Sequence, residues 1–114
     1  MLSREKRLVK SRDFDRAYQK GKRATSASFN ISFVQNRSQI TKIGVVVGKK
    51  FSKKATERNR AKRIFREVVR GIYNDICPGL DIVLFVKKTN TQEPKIEAVK
   101  AELKKTLEKA GVLK

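Results

Sequence analysis

Five consecutive apolar residues, Ile82-Val83-Leu84-Phe85-Val86, follow Asp81 with no polar residue to turn toward water. The run is short and rich in β-branched side chains, so it is a strand covered on both faces. A chain built around such a strand needs a sheet and further elements to hide both sides of it. Helical stripes stand on either side of it in sequence. From about Thr56 the chain takes up helical periodicity, with Ile64, Phe65, Val68, Val69 and Ile72 on one face, until Cys77-Pro78-Gly79 ends the segment. Glu93 to Ala110 is a last amphipathic helix with Ile96, Val99, Leu103, Leu107 and Ala110 inward.

The first half supplies the remaining elements. Ser11 is placed to cap a short helix, Asp13 and Asp15 suit its N-terminal dipole, and Gly21 can end it. Phe14, Ala17 and Tyr18 share one face of that helix. Residues 26–35 alternate, with Ala27, Phe29, Ile31 and Phe33 on one side and Ser28, Asn30, Ser32 and Val34 on the other. After a polar loop, Lys42 to Gly48 is a second, more buried strand, expected to form a hairpin with the first. The order helix, strands, helix, strand, helix makes residues 1–114 a single α+β domain, with residues 1–10 as a flexible basic N-terminal segment. The strands before and after the middle helix can lie parallel, as a crossover requires.

Charge narrows the function. The 114 residues include 29 Lys and Arg against 11 Asp and Glu, with no His, a formal charge of +18. Residues 1–70 hold 21 basic and 5 acidic side chains, whereas residues 71–114 hold 8 and 6. A solvated coat mixes the two signs, as the C-terminal part does. The bias therefore marks a binding face for a polyanion, and nucleic acid is the expected partner. No apolar run approaches the roughly 18 residues of a spanning helix, so no membrane is expected. The single Cys77, read as a small buried hydrophobe, excludes an internal disulfide and fits a cytoplasmic protein. Without His, zinc fingers, Ser-His triads and Cys-His dyads are excluded. The acids are scattered among basic residues, which leaves a protein-based nuclease without a metal cluster or an acid–base pair.

The densest cationic stretch runs from Lys49 to Arg70, with ten basic residues and only Glu57 and Glu67 acidic. Arg58, Arg60, Lys62, Arg63 and Arg66 offer donors that match phosphate oxygens, and Asn59 adds a donor and acceptor able to read a sugar or base edge. At ~100° per residue Asn59, Arg63, Arg66 and Arg70 lie almost opposite the apolar stripe. Phe14 and Tyr18, flanked by Arg12, Arg16 and Lys20, either stack on unpaired bases or pin their helix to the sheet. Lys87-Lys88 leaves the buried strand at a position where loops often carry function. Ser28, Asn30 and Ser32 offer a weaker polar strand face.

Outward from Arg58-Asn59-Arg60 the sequence resembles the protein components of bacterial ribonuclease P. The likeness takes in Arg12-Asp13-Phe14, Gly44-Val45-Val46-Val47, Lys49-Lys50, the block from Glu57 to Arg63, Phe65-Arg66-Glu67 and the strand from Asp81 to Lys88. Gly48, where Ser or Ala is common, and Ala61, in place of a larger aliphatic residue, depart from the pattern without touching the charged groups. The resemblance implies a mixed sheet with a left-handed βαβ crossover through the basic helix, as in the second domain of a ribosomal small-subunit protein. It also implies a protein subunit that supports magnesium-dependent removal of the 5′ leader from precursor tRNA, the RNA subunit binding the Mg2+ and supplying the catalytic groups. By the same resemblance Arg58, Asn59, Arg60, Lys62, Arg63 and Arg66 belong to the RNA-subunit side. Phe14, Tyr18, Lys49, Lys50 and Lys87 match leader positions. No obligate protein partner is expected. The alternative is a small ribosomal protein or ribosome-assembly factor that binds RNA without a catalytic role.

Overall fold

The computed structural model describes residues 4–87 and 96–114. The apolar run becomes β4 (Leu80–Val86), and it takes an inner place in a four-stranded sheet with β1 (Lys22–Thr25), β2 (Phe29–Gln35) and β3 (Lys42–Val47), in the order β1-β2-β4-β3. Its alternate residues serve opposite faces. Leu80, Ile82, Leu84 and Val86 join the main core with α2 (Ala55–Ile72) and α3 (Ile96–Ala110). Val83 faces the other way, toward Ala17 of α1 (Ser11–Lys20). The strand is covered on both faces, as its composition requires.

β3 and β4 run parallel, with Val45 opposite Leu84 and Val47 opposite Val86, and α2 makes the crossover between them. The expected hairpin between residues 26–35 and 42–48 does not form. β2 pairs antiparallel with β4 instead, Phe33 opposite Ile82 and Phe29 opposite Val86. β4, apolar on both sides, gains most from an inner position and separates the two strands that are neighbours in sequence. The local hairpin is β1 with β2, closed by the Ser26 N–H donating to the Phe29 carbonyl at 2.9 Å.

Local details also depart from expectation. Lys10, not Ser11, occupies the N-cap of α1, with no side-chain cap. α2 ends at Ile72, before Cys77-Pro78-Gly79, and a single 3-10 turn (Tyr73–Asp75) continues it. Gly79, at a φ of 81°, then turns the chain into β4. In α2 Ala61 is buried and Ile64 only half-buried. In α3 Val99, Leu103 and Leu107 are buried, but Ile96, at the start, is 48% exposed. Residues 93–95, expected in that helix, lie outside the described residues.

Of the segment of residues 1–10 expected to be flexible, residues 4–10 are described and lie along β3. Leu8 is buried, its N–H donates to the Ile43 carbonyl at 3.1 Å, and Arg7 bridges Ile43 in parallel fashion. Lys6 Nζ lies 4.6 Å from the centre of the Tyr73 ring. One apolar side chain with a place to go, helped by a backbone pairing and a cation–π contact, turns this segment into a strap along β3.

Candidate nucleic-acid interface

The loop leading into α2 is held by its own side chains. Ser52 Oγ donates to Glu57 Oε2 at 2.6 Å and accepts from the Lys54 N–H. The Ser52 carbonyl accepts from Arg58 Nη1 at 2.9 Å. Phe51 packs against the main core. One arm of Arg58 is thus fixed, which orients the rest of its fork at the start of the helix. Asn59, Arg60 and Arg63 are exposed, and Arg58, Lys62 and Arg66 are half-buried. Arg70 pairs with Glu67, which lowers the Glu67 carboxyl below its ordinary value through the Arg70 hydrogen bond.

Because β3 and β4 are parallel and in register at Val47 and Val86, the chain leaves both at one end of the sheet. Lys49 and Lys50, both exposed, and half-buried Lys87 emerge there, and so does the entry to α2. The Lys87 N–H donates to the Ser28 carbonyl at 2.9 Å. Lys88 lies outside the described residues. The sheet end thereby joins three of the expected leader residues to the first turns of the arginine helix.

Phe14 and Tyr18 project from α1 onto the opposite face of the sheet. Phe14 lies on the backbone of Gly44, where a Cβ would meet its ring carbons at 2.5 Å. Only glycine permits that approach. Tyr18 meets Phe85 edge-on, with ring centroids 6.2 Å apart. Both rings are half-buried, so each is pinned to the sheet while keeping an open side. Tyr18 Oη is buried without a hydrogen-bond partner, and so is Oδ1 of Asn30, the residue opposite Phe85 in the ladder. Burial raises the Tyr18 phenol above its ordinary value, against the pull of Arg23. Ser32 on this face is buried, so the polar strand face is narrower than its alternation indicates.

Sequence reasoning missed the groups that hold α1 in place. Asp81 is buried, accepts from Arg16 Nη2 at 2.6 Å and from Asn36 Nδ2 at 2.9 Å, and so ties α1 to the start of β4. Arg16, one of the cations expected to flank the aromatic pair, is committed to this bond. The signal was present: a carboxylate heading an otherwise apolar strand needs a partner. Arg7 was missed too. It lines a cavity shared by Phe14 of the leader set and Arg66 of the RNA-subunit set. Among the described residues no three Asp, Glu, His or Cys side chains gather to hold a metal ion, and no helix is long and apolar enough to cross a membrane.

The family model described as ribonuclease P matches residues 2–111. The chain belongs to the ribonuclease P protein family. The ribonuclease P protein component of a Pseudanabaena species is 40% identical over 115 residues, covering 99% of this chain and 97% of that one. That of a Picosynechococcus species is 38% identical and covers 97% and 95%. Among solved structures, the ribonuclease P protein of Thermotoga maritima superposes with a TM-score of 0.81 at 32% identity, covering 90% of this chain and 96% of that one. That of Staphylococcus aureus gives 0.82 at 25% identity, with 96% and 98% covered. Ribonuclease P proteins serve a tRNA-processing ribonucleoprotein, and these matches do not favour the ribosomal alternative.

Proposed function

We propose that this chain is a cationic clamp between the catalytic RNA of ribonuclease P and the single-stranded 5′ leader of precursor tRNA. Arg58, Asn59, Arg60, Lys62, Arg63 and Arg66 face the RNA subunit. Phe14, Tyr18, Lys49, Lys50 and Lys87 hold the leader, the rings by stacking and the lysines by phosphate contact. The RNA subunit binds the magnesium ions and carries out the hydrolysis, in the cytoplasm. The protein neutralises phosphates so that two polyanions can approach. The observation that carries this reading is the common sheet end, where Lys49, Lys50 and Lys87 meet the entry to the arginine-bearing helix. Neutralising roughly five phosphates makes binding fall on the order of hundreds-fold for a fourfold rise in salt, on the duplex slope.

The test is reconstitution with a bacterial ribonuclease P RNA at low magnesium, using precursor tRNAs with leaders of increasing length. Leader removal rises on adding the protein, and the gain in substrate affinity grows with leader length. Equal enhancement for a one-nucleotide and a long leader would rule the clamp out.

A further inference from the structure

The strap, α1, β3 and α2 enclose a cavity of about 170 Å³ at the β3 edge of the sheet. Two arginines line it from different elements, Arg7 from the strap and Arg66 from α2. Neither makes a side-chain hydrogen bond or ion pair with the described residues, and Arg7 Nε is buried without a partner. The other walls include Leu8, Phe14, Val45 and Val69, and no acidic side chain is among them. Val9, also in the lining, is 70% exposed. A buried guanidinium N–H without an acceptor is costly, and two cationic side chains on one cavity with no acid in its lining favour an anion there. The arrangement is satisfied by an anion that carries an apolar flat group with it.

We propose that this cavity is a binding site for one unpaired pyrimidine nucleotide of RNA, its base between Phe14 and the aliphatic walls and its phosphate held by Arg7 and Arg66. An apolar cavity of about 150 Å³ holds one benzene ring in another protein, so 170 Å³ suits a single-ring base better than a purine. Guanidinium forks bind phosphate oxygens with charge-assisted bonds, and aromatic faces stack on bases whatever their sequence. The site rests on the RNA-clamp reading and adds Arg7 and a discrete nucleotide to it. The nucleotide comes from the catalytic RNA or from the leader, since Arg66 belongs to one surface and Phe14 to the other.

The experiment uses the full chain assembled with the catalytic RNA, with 4-thiouridine placed either throughout that RNA or in the leader. Irradiation crosslinks the strap or Val45 to one thiouridine position, and the labelled strand that reacts identifies the source. In parallel, Arg7→Met weakens binding of that strand about tenfold and lowers its salt slope by about one phosphate. Arg7→Lys keeps the slope. A purely structural Arg7 would instead lower thermal stability and leave the slope intact. If the complex assembles but neither strand crosslinks, and Arg7→Met binds with the wild-type slope, the nucleotide site is wrong while the clamp stands. If the wild-type chain fails to assemble with the RNA at all, the clamp itself falls.

Discussion

The two faces of the sheet are built for different ends. Against α2 and α3, Phe29, Ile31, Phe65, Ile72, Leu84, Leu103 and Leu107 are almost wholly withdrawn from water, and Phe29 meets Phe65 edge-on at 6.0 Å. Against α1 the buried apolar set among the described residues is Leu8, Ala17 and Val83, with Phe14, Tyr18, Val34 and Val46 half-buried around it. One face carries the stability of the domain. The other is held by a few polar ties, leaves aromatic surface open and keeps buried polar atoms without a partner. The division lets a small protein keep a sticky surface without risking its fold.

The largest expected effect lies in the sealed face. Phe65→Ala removes a ring that is 1% exposed and costs about 3–5 kcal/mol of unfolding free energy, read from urea denaturation. A loss below 1 kcal/mol would break the contrast between the faces. Next comes the tie across the open face. Asp81→Ala strands Arg16 and removes one of the bonds of Asn36, and because the Arg16 side chain is 37% exposed the cost is about 2 kcal/mol, below that of a fully buried pair. Leader affinity falls with it, because α1 loses its anchor; unchanged affinity would show that α1 is placed by packing alone.

The smallest effect is at Tyr18. Tyr18→Phe deletes a buried hydroxyl that lacks a partner, so stability stays level or rises by less than about 1 kcal/mol. Its pH signature sharpens the point. The folded phenol titrates above the ordinary value of 10.0, so the unfolded chain releases its proton first. Wild-type stability therefore drops as pH climbs past that value, and the Phe variant lacks this part of the drop. Equal alkaline slopes for the two proteins would show that the hydroxyl is solvated.

The elements with strong periodicity were legible in the sequence. The β4 run, the α2 stripe with its arginines opposite, and the parallel pairing of the strands around α2 all follow from burial acting on residues 42–86. β1 was not legible, because Lys22-Arg23-Ala24-Thr25 has almost no apolar signal and is a strand only through pairing with β2. The misjudged hairpin has a similar origin: pairing partners are chosen by the whole sheet, and β4 outcompetes the local option. At the candidate site the residue types were legible, and their grouping came from the family resemblance, not from the residues themselves. The adjacent pair Lys49-Lys50 and the distant Lys87 come to one end of the sheet because two parallel strands end together. Arg16 and Arg7 show the limit in reverse. A basic side chain looks the same in sequence whether it is spent on Asp81 or left facing a cavity.

The strap has a bearing on how this chain behaves while alone. A sheet exposes two margins, and an unpaired margin invites a neighbouring molecule to add a strand. At β3 the backbone of Arg7 and Leu8 already takes up Ile43, and at β1 the exposed Lys22 and Arg23 meet any second copy with like charge. The β3 margin is thus guarded at Ile43 by the chain's own backbone, and the β1 margin by the like charge of Lys22 and Arg23. That second guard weakens whenever a stray polyanion neutralises it.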